Sequence, residues 1–321
     1  MSEKIVFTVV KDEAPFLLEW IAFYRMIGFD TVVIYSNNST DRTDELCAAM
    51  AAEGLIEHHI HQPEGRSPQG HAAWLFRRSG RAKPGDWVLF CDPDEFLNVK
   101  FGGHRVDDLI AHMPDKQGIL LTWRMFGDAG RQCFTGRSID PAYCWAAAEE
   151  NPNNRVVKTL FRYGPEVEFM GVHGPRMTAG YWTEGRPFVS ARLTDIDPAL
   201  PAYAKWRETG QIVTCDSQDS SYRHVQLNHY FTRSAACFAM KQRRGIGGRA
   251  PDRADYDHTR YARAHYDASN FNQVQDKSIL VLGGELDNII REFMSVQKIE
   301  SIQGDIRRDF LLYEAEFVAR S

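Results

Sequence analysis

Apolar residues in about the first hundred positions form short β-prone runs, and between these runs they recur at helical spacing. The runs predict strands over residues 5–10, 31–35, 55–60 and 87–91. The intervening segments predict two helices that stop at Gly28 and Gly54, and a third over residues 71–82. Strands that alternate with helices indicate a parallel sheet with right-handed connections. The sequence therefore predicts an α/β protein whose first strands end at one sheet edge.

Beyond residue 100 this alternation weakens. A helix is expected over 106–113 and a strand over 118–123, whereas residues 130–225 are rich in proline, glycine, arginine and aromatic side chains. A long irregular segment inside a compact enzyme is usually a lid or a binding loop. Helices return from Ser234. Two apolar stripes there are expected to pack on the sheet or a partner subunit: Leu286, Ile289, Ile290, Phe293 and Met294, and then Ile306, Phe310, Tyr313 and Phe317.

Composition narrows the class of protein. A hydrophobic fraction of 43% and a charged fraction of 25% are those of a soluble globular protein. The net charge of −5 argues against nucleic-acid binding. Six scattered cysteines without a C-x-x-C pair favour reduced thiols in the cytoplasm over disulfides or a zinc site. No stretch reaches the ~18 apolar residues of a membrane span, which leaves peripheral membrane association and the oligomeric state open.

The predicted fourth strand ends in a cluster of acids, Asp92, Asp94 and Glu95. Ligands of open α/β sheets bind outside the carboxyl ends of the strands. Pro93 fixes φ and favours a turn that brings Asp92 and Asp94 towards one side. Carboxylate oxygens suit Mg²⁺ or Mn²⁺, which usually bridge to substrate phosphates. A solvated Asp-Pro turn is the simpler interpretation of this cluster alone.

Further motifs accompany the acidic turn. They occur at 11–20 (KDEAPFLLEW), 37–43 (NNSTDRT), 92–97 (DPDEFL), 123–127 (WRMFG), 173–175 (HGP), 228–230 (NHY) and 241–245 (KQRRG). In this order they resemble glycosyltransferases of the GT-A fold, most closely the bacterial family-2-like group related to family 92. Two positions depart from that pattern, since Asp12 replaces the usual Asn and Pro93 replaces an aliphatic residue.

The resemblance implies a Rossmann-like mixed sheet flanked by helices, with a helical C-terminal extension. We expect a GT-A domain over residues 1–230, with a nucleotide-binding half at about 1–100 and an acceptor-side half at about 101–230. Residues 231–321 form the extension, which carries a cationic, lid-like segment. The resemblance also implies an inverting transferase that moves a sugar from a nucleotide-diphosphate donor, expected to be a UDP-sugar, to a glycan or glycoconjugate in polysaccharide assembly.

A Mn²⁺ or Mg²⁺ ion would neutralise the leaving diphosphate in such an enzyme. Asp94 is the expected ligand, with Asp92 bound directly or through water. GT-A enzymes often add a histidine from late in the chain, for which His229 is the first choice and His173 the alternative. Each histidine can equally be a partly buried imidazole with structural hydrogen bonds.

The ends of the first two strands supply the candidate nucleotide contacts. Asn37, Asn38 and Asp41 follow the second strand, where a ribose or base would dock. A turn with Ser39 or Thr40 as the helix N-cap explains the same residues. Weaker candidates are Lys11 and Glu13 after the first strand and Arg66 and Gln69 before the third helix.

Late in the chain, Lys241 and Arg244 are expected to contact the diphosphate, since ammonium and guanidinium groups suit phosphate oxygens. Arg243, Arg249 and Arg253 lie close by in sequence, and a solvated basic helix face is the alternative. Inversion requires a carboxylate that takes the acceptor's proton. Asp128 is nominated because it follows the 118–123 strand, and five other acids remain open: Glu149, Glu150, Glu166, Glu168 and Asp219.

Two rival functions remain. A non-catalytic nucleotide- or glycan-binding module would keep the sheet without needing both Asp92 and Asp94. A phosphatase of the haloacid-dehalogenase type also places Asp-x-Asp after an apolar strand, but it expects Thr or Val where Phe96 stands. Its acids also normally follow the first strand of the domain rather than the fourth.

Overall fold

The computed structural model describes residues 2–245 and 262–320. Within them the strands are β1 (Lys4–Val10), β2 (Thr31–Ser36), β3 (Glu57–Ile60), β4 (Trp87–Phe90), β5 (Glu95–Val99), β6 (Gly118–Met125), β7 (Trp145–Ala146), β8 (Val157–Arg162), β9 (Val167–Met170), β10 (Pro175–Met177), β11 (Phe188–Val189), β12 (Val225–His229) and β13 (Val274–Gln275). The helices are α1 (Ala14–Met26), α2 (Thr43–Ala52), α3 (Pro68–Ser79), α4 (Val106–Ala111), α5 (Tyr181–Glu184), α6 (Pro201–Thr209), α7 (Ala235–Arg244), α8 (Arg263–Ser269), α9 (Gly283–Met294) and α10 (Gln297–Arg320).

One mixed sheet organises the fold. Its strand order is β3-β2-β1-β4-β8-β6-β12-β5, with β11 added beside β6. The β1 strand is parallel to both β2 and β4, and β2 is parallel to β3. The β8 strand is antiparallel to both β4 and β6, and β5 is antiparallel to β12. The predicted α/β class, with a mixed sheet flanked by helices and helices at the C-terminal end, is confirmed.

The parallel register carries the ends of three strands to one edge, as the sequence predicted. Val10 of β1 lies beside Ser36 of β2, and Phe7 lies beside Phe90 of β4. The residues that follow β1, β2 and β4 therefore leave the sheet together. These are the segments that begin with Lys11, Asn37 and the acidic turn.

Helices cover both faces of the sheet. On one face α1, which is buried along most of its length, packs under α9 and α10 through Ile299, Ile302 and Ile306. On the other face α3 and α6 enclose a second core that includes Phe76 and Trp206. The apolar stripes predicted in the last helices thus pack on α1, at one face of the sheet. The division into domains at residue 230 stays a prediction.

Several element bounds differ from expectation. The third helix begins at Pro68, three residues before the predicted start, because Ser67 caps it by accepting from the Gly70 amide. The helix that is expected to stop at Gly54 runs from Thr43 to Ala52. No helix in the described part of the chain is long and apolar enough to cross a membrane.

Candidate functional site

The acidic turn joins β4 to β5. The Glu95 amide donates to the Asp92 carbonyl over 3.0 Å, which closes a turn with Pro93 at its second position. The predicted proline turn is therefore confirmed. Asp92 and Asp94 each contact a different lysine, and their joint role at one metal ion stays a prediction.

Asp92 faces α3 and β8. Its carboxylate accepts from Gln69 Nε2 at 2.9 Å and from Lys158 Nζ at 2.8 Å. Lys158 is completely buried and also lies 3.5 Å from Glu95, whose carboxylate accepts from the Asp92 amide. Glu95 is thus a structural member of the turn, and Gln69, a candidate nucleotide contact, instead holds Asp92.

Asp94 faces α7 and β12. Lys241 Nζ lies 2.5 Å from Asp94 Oδ2 and donates to the Phe231 carbonyl at 2.6 Å, while His229 Nε2 lies 3.5 Å from Asp94 Oδ1. Burial alone would raise the pKa of Asp94, but the charges of Lys241 and the contact with His229 outweigh it, and the pKa falls well below its usual range. Asp94 is therefore an anion at neutral pH.

His229 and His173 stand on either side of one indole. Trp123 lies with ring centroids 4.1 Å from His229 and 5.9 Å from His173. Burial lowers the pKa of His229, an effect that Asp94 only partly offsets, so its imidazole is neutral at pH 7. His229 Nδ1 and Trp123 Nε1 are buried without a hydrogen-bond partner among the described residues. His173 Nδ1 contacts the Val157 carbonyl at 2.9 Å.

The predicted metal ligands can be compared with this arrangement. Asp94 and His229 place an oxygen and a neutral nitrogen donor side by side, with His229 Nε2 3.5 Å from Asp94 Oδ1. Oxygen and imidazole donors suit Mn²⁺ and, less well, Mg²⁺. The described residues nonetheless contain no ready cluster of three or more His, Cys, Asp or Glu. The oxygen and nitrogen atoms of Asp94 and His229 are of the kind that binds a divalent ion. In this structure the carboxylates of Asp94 and Asp92 are paired with Lys241 and Lys158.

The turn after β1 is bound to the turn after β2. Asp12 Oδ1 accepts from the Thr40 amide at 2.6 Å, the Thr40 hydroxyl at 3.2 Å and the Asp41 amide at 3.3 Å. Asp12 and Asn38 both have φ near +50°, which Asp and Asn tolerate better than other side chains do. Asp12, one of the two departures from the family pattern, thus fixes the backbone of this loop.

Asp41 caps two helices at once. Its Oδ2 accepts from the Ala14 amide at 3.1 Å, and its Oδ1 accepts from the Thr43 amide at 2.9 Å. The N-cap expected at Ser39 or Thr40 is wrong, because the N-cap position of α2 is Arg42 and the Asp41 side chain accepts from the first amide of each helix. Both oxygens of this candidate nucleotide contact already have backbone partners. Asn37 is buried beside it and Asn38 is exposed.

The end of α7 reaches the end of β1. Arg244 forms an ion pair with the buried Glu13, and Lys11 Nζ donates to the Arg244 carbonyl at 3.3 Å. Arg233 lies 3.9 Å from Glu13, stacks on Phe16 and donates to the Pro93 carbonyl at 2.8 Å. The structure therefore brings together four of the predicted nucleotide contacts: Lys11, Glu13, Lys241 and Arg244. Their predicted role in binding one nucleotide requires this proximity.

Arg66 lies apart from this group. It is exposed, with its guanidinium over the Trp74 ring at 5.6 Å. Arg243 is also exposed and stacks on Tyr313. Arg249 and Arg253, and with them most of the predicted lid-like segment, lie outside the described residues.

Asp128 has structural partners on both carboxylate oxygens. Tyr266 donates to Oδ2, and the Gly130 amide donates to Oδ1 at 2.8 Å. Among the alternative bases, Asp219 accepts from Tyr203 and Glu168 pairs with Arg176. Three others are exposed: Glu149, Glu150 and Glu166.

Lys158 and Arg233 are site residues that the sequence prediction missed. Lys158 interrupts an apolar run in a strand, and a lone charge at a buried strand position signals a buried partner. The sequence gives no comparable sign that Arg233 has a buried partner, because it lies in the short segment between β12 and α7.

The chain is similar to several known proteins. It is 30% identical over 149 residues to a glycosyltransferase family 92 protein of Oryza sativa subsp. japonica, which covers 45% of this chain and 25% of that protein. It is 28% identical over 138 residues to one of Arabidopsis thaliana, covering 41% and 22%. The chain thus spans about a quarter of the length of the curated relatives it matches. Their family is the one that the motifs indicated, but these plant proteins give no support to a bacterial subgroup.

Among solved structures, Staphylococcus aureus TarS 1–349 in complex with UDP matches with a TM-score of 0.37 and 11% identity. The match covers 99% of this chain and 92% of that one. No family model matches the chain.

Proposed function

We propose that this chain is a glycosyltransferase that moves a sugar from a nucleotide-diphosphate donor, a UDP-sugar in the first instance, to a glycan or glycoconjugate acceptor. The proposal extends to an inverting reaction supported by Mn²⁺ or Mg²⁺. The partial similarity to family 92 proteins supports the reaction class. A cytoplasmic location and peripheral contact with a membrane are part of the same proposal.

One observation carries this function. The acidic turn, the end of β1 and the end of α7 meet at one edge of the parallel strands, with Asp94 against Lys241 and Glu13 against Arg244. Ligands of open α/β sheets bind at this edge. A nucleoside diphosphate joins a planar, hydrogen-bonding base to a strongly anionic diphosphate, and this edge offers both cationic side chains and acids that can bind a metal ion.

The protein's own residues would divide the work. Asp94, His229 and Asp92 would hold the divalent ion, which supplies Lewis-acid stabilisation of the leaving diphosphate when bound. Lys241 and Arg244 would bind phosphate oxygens through charge-assisted hydrogen bonds. Lys158 would hold the Asp92 carboxylate in its orientation.

Inversion also needs a base for the acceptor's hydroxyl proton. Asp128 remains the proposed base, although it must exchange the hydrogen bond from Tyr266 for one from the acceptor. Trp123 and His229 would line the sugar, since their unpartnered ring nitrogens are available for hydroxyl groups.

A non-catalytic nucleotide- or glycan-binding module is the second candidate. Asp92 and Asp94 each pair with a lysine, so their charges are balanced without a metal ion. This observation favours the binding module. A haloacid-dehalogenase phosphatase fits less well, because Asp92 follows the fourth strand in sequence and its carboxylate is held by Lys158 and Gln69.

A donor-hydrolysis screen separates these functions. Purified protein is incubated with UDP-, GDP- and CDP-sugars in Mn²⁺, and the released nucleoside diphosphate is measured. We expect one donor class to be hydrolysed slowly, and Asp94→Asn to reduce that rate by at least about 100-fold, as loss of a key electrostatic group does.

Asp115→Asn is the matched control, because it removes the same charge from an exposed position. It should leave the rate unchanged. Binding of a nucleotide without turnover of any sugar donor would favour the module, and turnover that survives Asp94→Asn would refute the assigned site.

A further inference from the structure

We propose that Lys241 is the resident counter-ion of Asp94 in the donor-free protein, and that a divalent ion and the donor diphosphate must bind together to displace it. This inference rests on the proposed function, since it concerns the same nucleotide site. It assigns Lys241 two successive partners, first Asp94 and then the diphosphate. The donor-free protein should therefore bind a divalent ion only weakly, because Lys241 already occupies Asp94.

The contacts of Lys241 define a cation position. Its ammonium lies 2.5 Å from Asp94 Oδ2, 2.6 Å from the Phe231 carbonyl oxygen and 4.4 Å from the centroid of the Phe231 ring. His229 stands on the other oxygen of the same carboxylate. An ammonium therefore already sits among an oxygen, a carbonyl and an imidazole that a divalent ion would use.

Two cations cannot share this position without a large cost. Like charges about 4 Å apart repel strongly at the low effective dielectric of a protein site. An ion held by Asp94 and His229 therefore requires Lys241 to leave Asp94. An ammonium that leaves a buried anion needs a new anionic partner, because an unpaired buried charge is costly.

Lys241 can make this exchange, whereas Lys158 cannot. Lys158 is fully buried within a central strand, with Asp92 and Glu95 as partners. Lys241 is also buried, but it lies in the last turn of α7, three residues before the Arg244 that reaches the end of β1. The diphosphate of a donor at this sheet edge would meet Lys241 directly. Metal and nucleotide binding are then coupled with positive cooperativity.

Binding measurements with Lys241→Gln test the inference without any activity readout. Mn²⁺ affinity is measured from the electron paramagnetic resonance signal of free Mn²⁺, with and without UDP. We expect Lys241→Gln to bind Mn²⁺ alone about 10-fold or more tightly than wild type, because a neighbouring positive charge is gone. It should bind UDP in saturating Mn²⁺ about 10-fold more weakly, because a phosphate contact is lost.

The control is Arg243→Gln, which removes the same charge from an exposed side chain on the same helix. It should change neither affinity. Equal Mn²⁺ affinity in Lys241→Gln and Arg243→Gln would overturn the inference, and so would a complete lack of Mn²⁺ binding in both wild type and Lys241→Gln. The transfer reaction itself is decided separately by the donor-hydrolysis screen, whereas a complete lack of Mn²⁺ binding would also count against the proposed metal ion.

A crystal structure of wild type with Mn²⁺ and UDP decides the point if Lys241→Gln does not fold. Lys241 Nζ should then lie beyond about 4 Å from Asp94, the limit of an ion pair, and within hydrogen-bond distance of a phosphate oxygen. A structure in which Lys241 still contacts Asp94 while Mn²⁺ is bound would overturn the inference.

Discussion

At the scale of single residues, the candidate site is a set of matched charges. Asp92 and Glu95 meet Lys158, Asp94 meets Lys241, and the backbone of the turn accepts from Arg233. Buried charges require such partners, because the desolvation of an unpaired ion costs several kcal/mol. The acids were recognisable from the sequence because they end an apolar run. Their lysine partners were not, because each comes from a distant segment.

Asp12 offers a prediction at this scale. We expect Asp12→Ala to lower the free energy of unfolding by about 2–3 kcal/mol, because three hydrogen bonds to Thr40 and Asp41 are lost and Ala is strained at positive φ. Asp12→Asn should lose less than about 1 kcal/mol, since its amide oxygen can accept the same bonds and Asn tolerates this conformation. Urea unfolding measures both changes. Equal losses in the two variants would contradict the structural role of Asp12.

At the scale of elements, the acidic turn depends on the antiparallel strand beside it. The β8 strand lies between β4 and β6 and presents Lys158 to the turn that follows β4. The apolar run at residues 156–161 predicts a short strand within one residue of β8 at each end, but the sequence could not place that strand in the sheet. Short strands in a segment rich in glycine and proline carry no signal for their partners, and here the pairings are non-local.

Lys158→Met tests the dependence of the turn on β8. We expect a loss of about 3–5 kcal/mol in the free energy of unfolding, because the acidic turn loses its buried cationic partner. The loss should be smaller at pH 5 than at pH 8. Burial raises the pKa of Glu95 to about 8, and the charge of Lys158 opposes that rise. Without Lys158 the pKa of Glu95 rises further, so the folded variant holds the extra proton to a higher pH and loses more stability with rising pH than wild type does.

The matched control is Lys116→Met, which breaks a more exposed ion pair with Asp195. Such pairs contribute less than about 1 kcal/mol, and no comparable pH dependence is expected there. Urea unfolding at both pH values measures the two variants. A loss for Lys158→Met no larger than that for Lys116→Met would contradict the buried role of Lys158.

At the scale of the whole molecule, the sheet explains why distant motifs form one site. The convergence of the β1, β2 and β4 ends followed from the alternation of strands and helices, because parallel strands share their carboxyl edge. The sequence did not predict that α7 reaches that edge, because the position of α7 depends on how β12 enters the sheet between β5 and β6. Tertiary packing likewise decided that α9 and α10 cover α1.

The central claim is that this sheet edge binds a nucleoside diphosphate through Asp94. Calorimetric titration of UDP, GDP and CDP, each with and without Mn²⁺, tests it on wild type, Asp94→Asn and Asp115→Asn. We predict that one nucleotide binds tightly to wild type and Asp115→Asn in Mn²⁺, and that binding weakens sharply in Asp94→Asn. Failure of all three nucleotides to bind wild type in either condition would contradict the claim, as would equal affinity in wild type and Asp94→Asn.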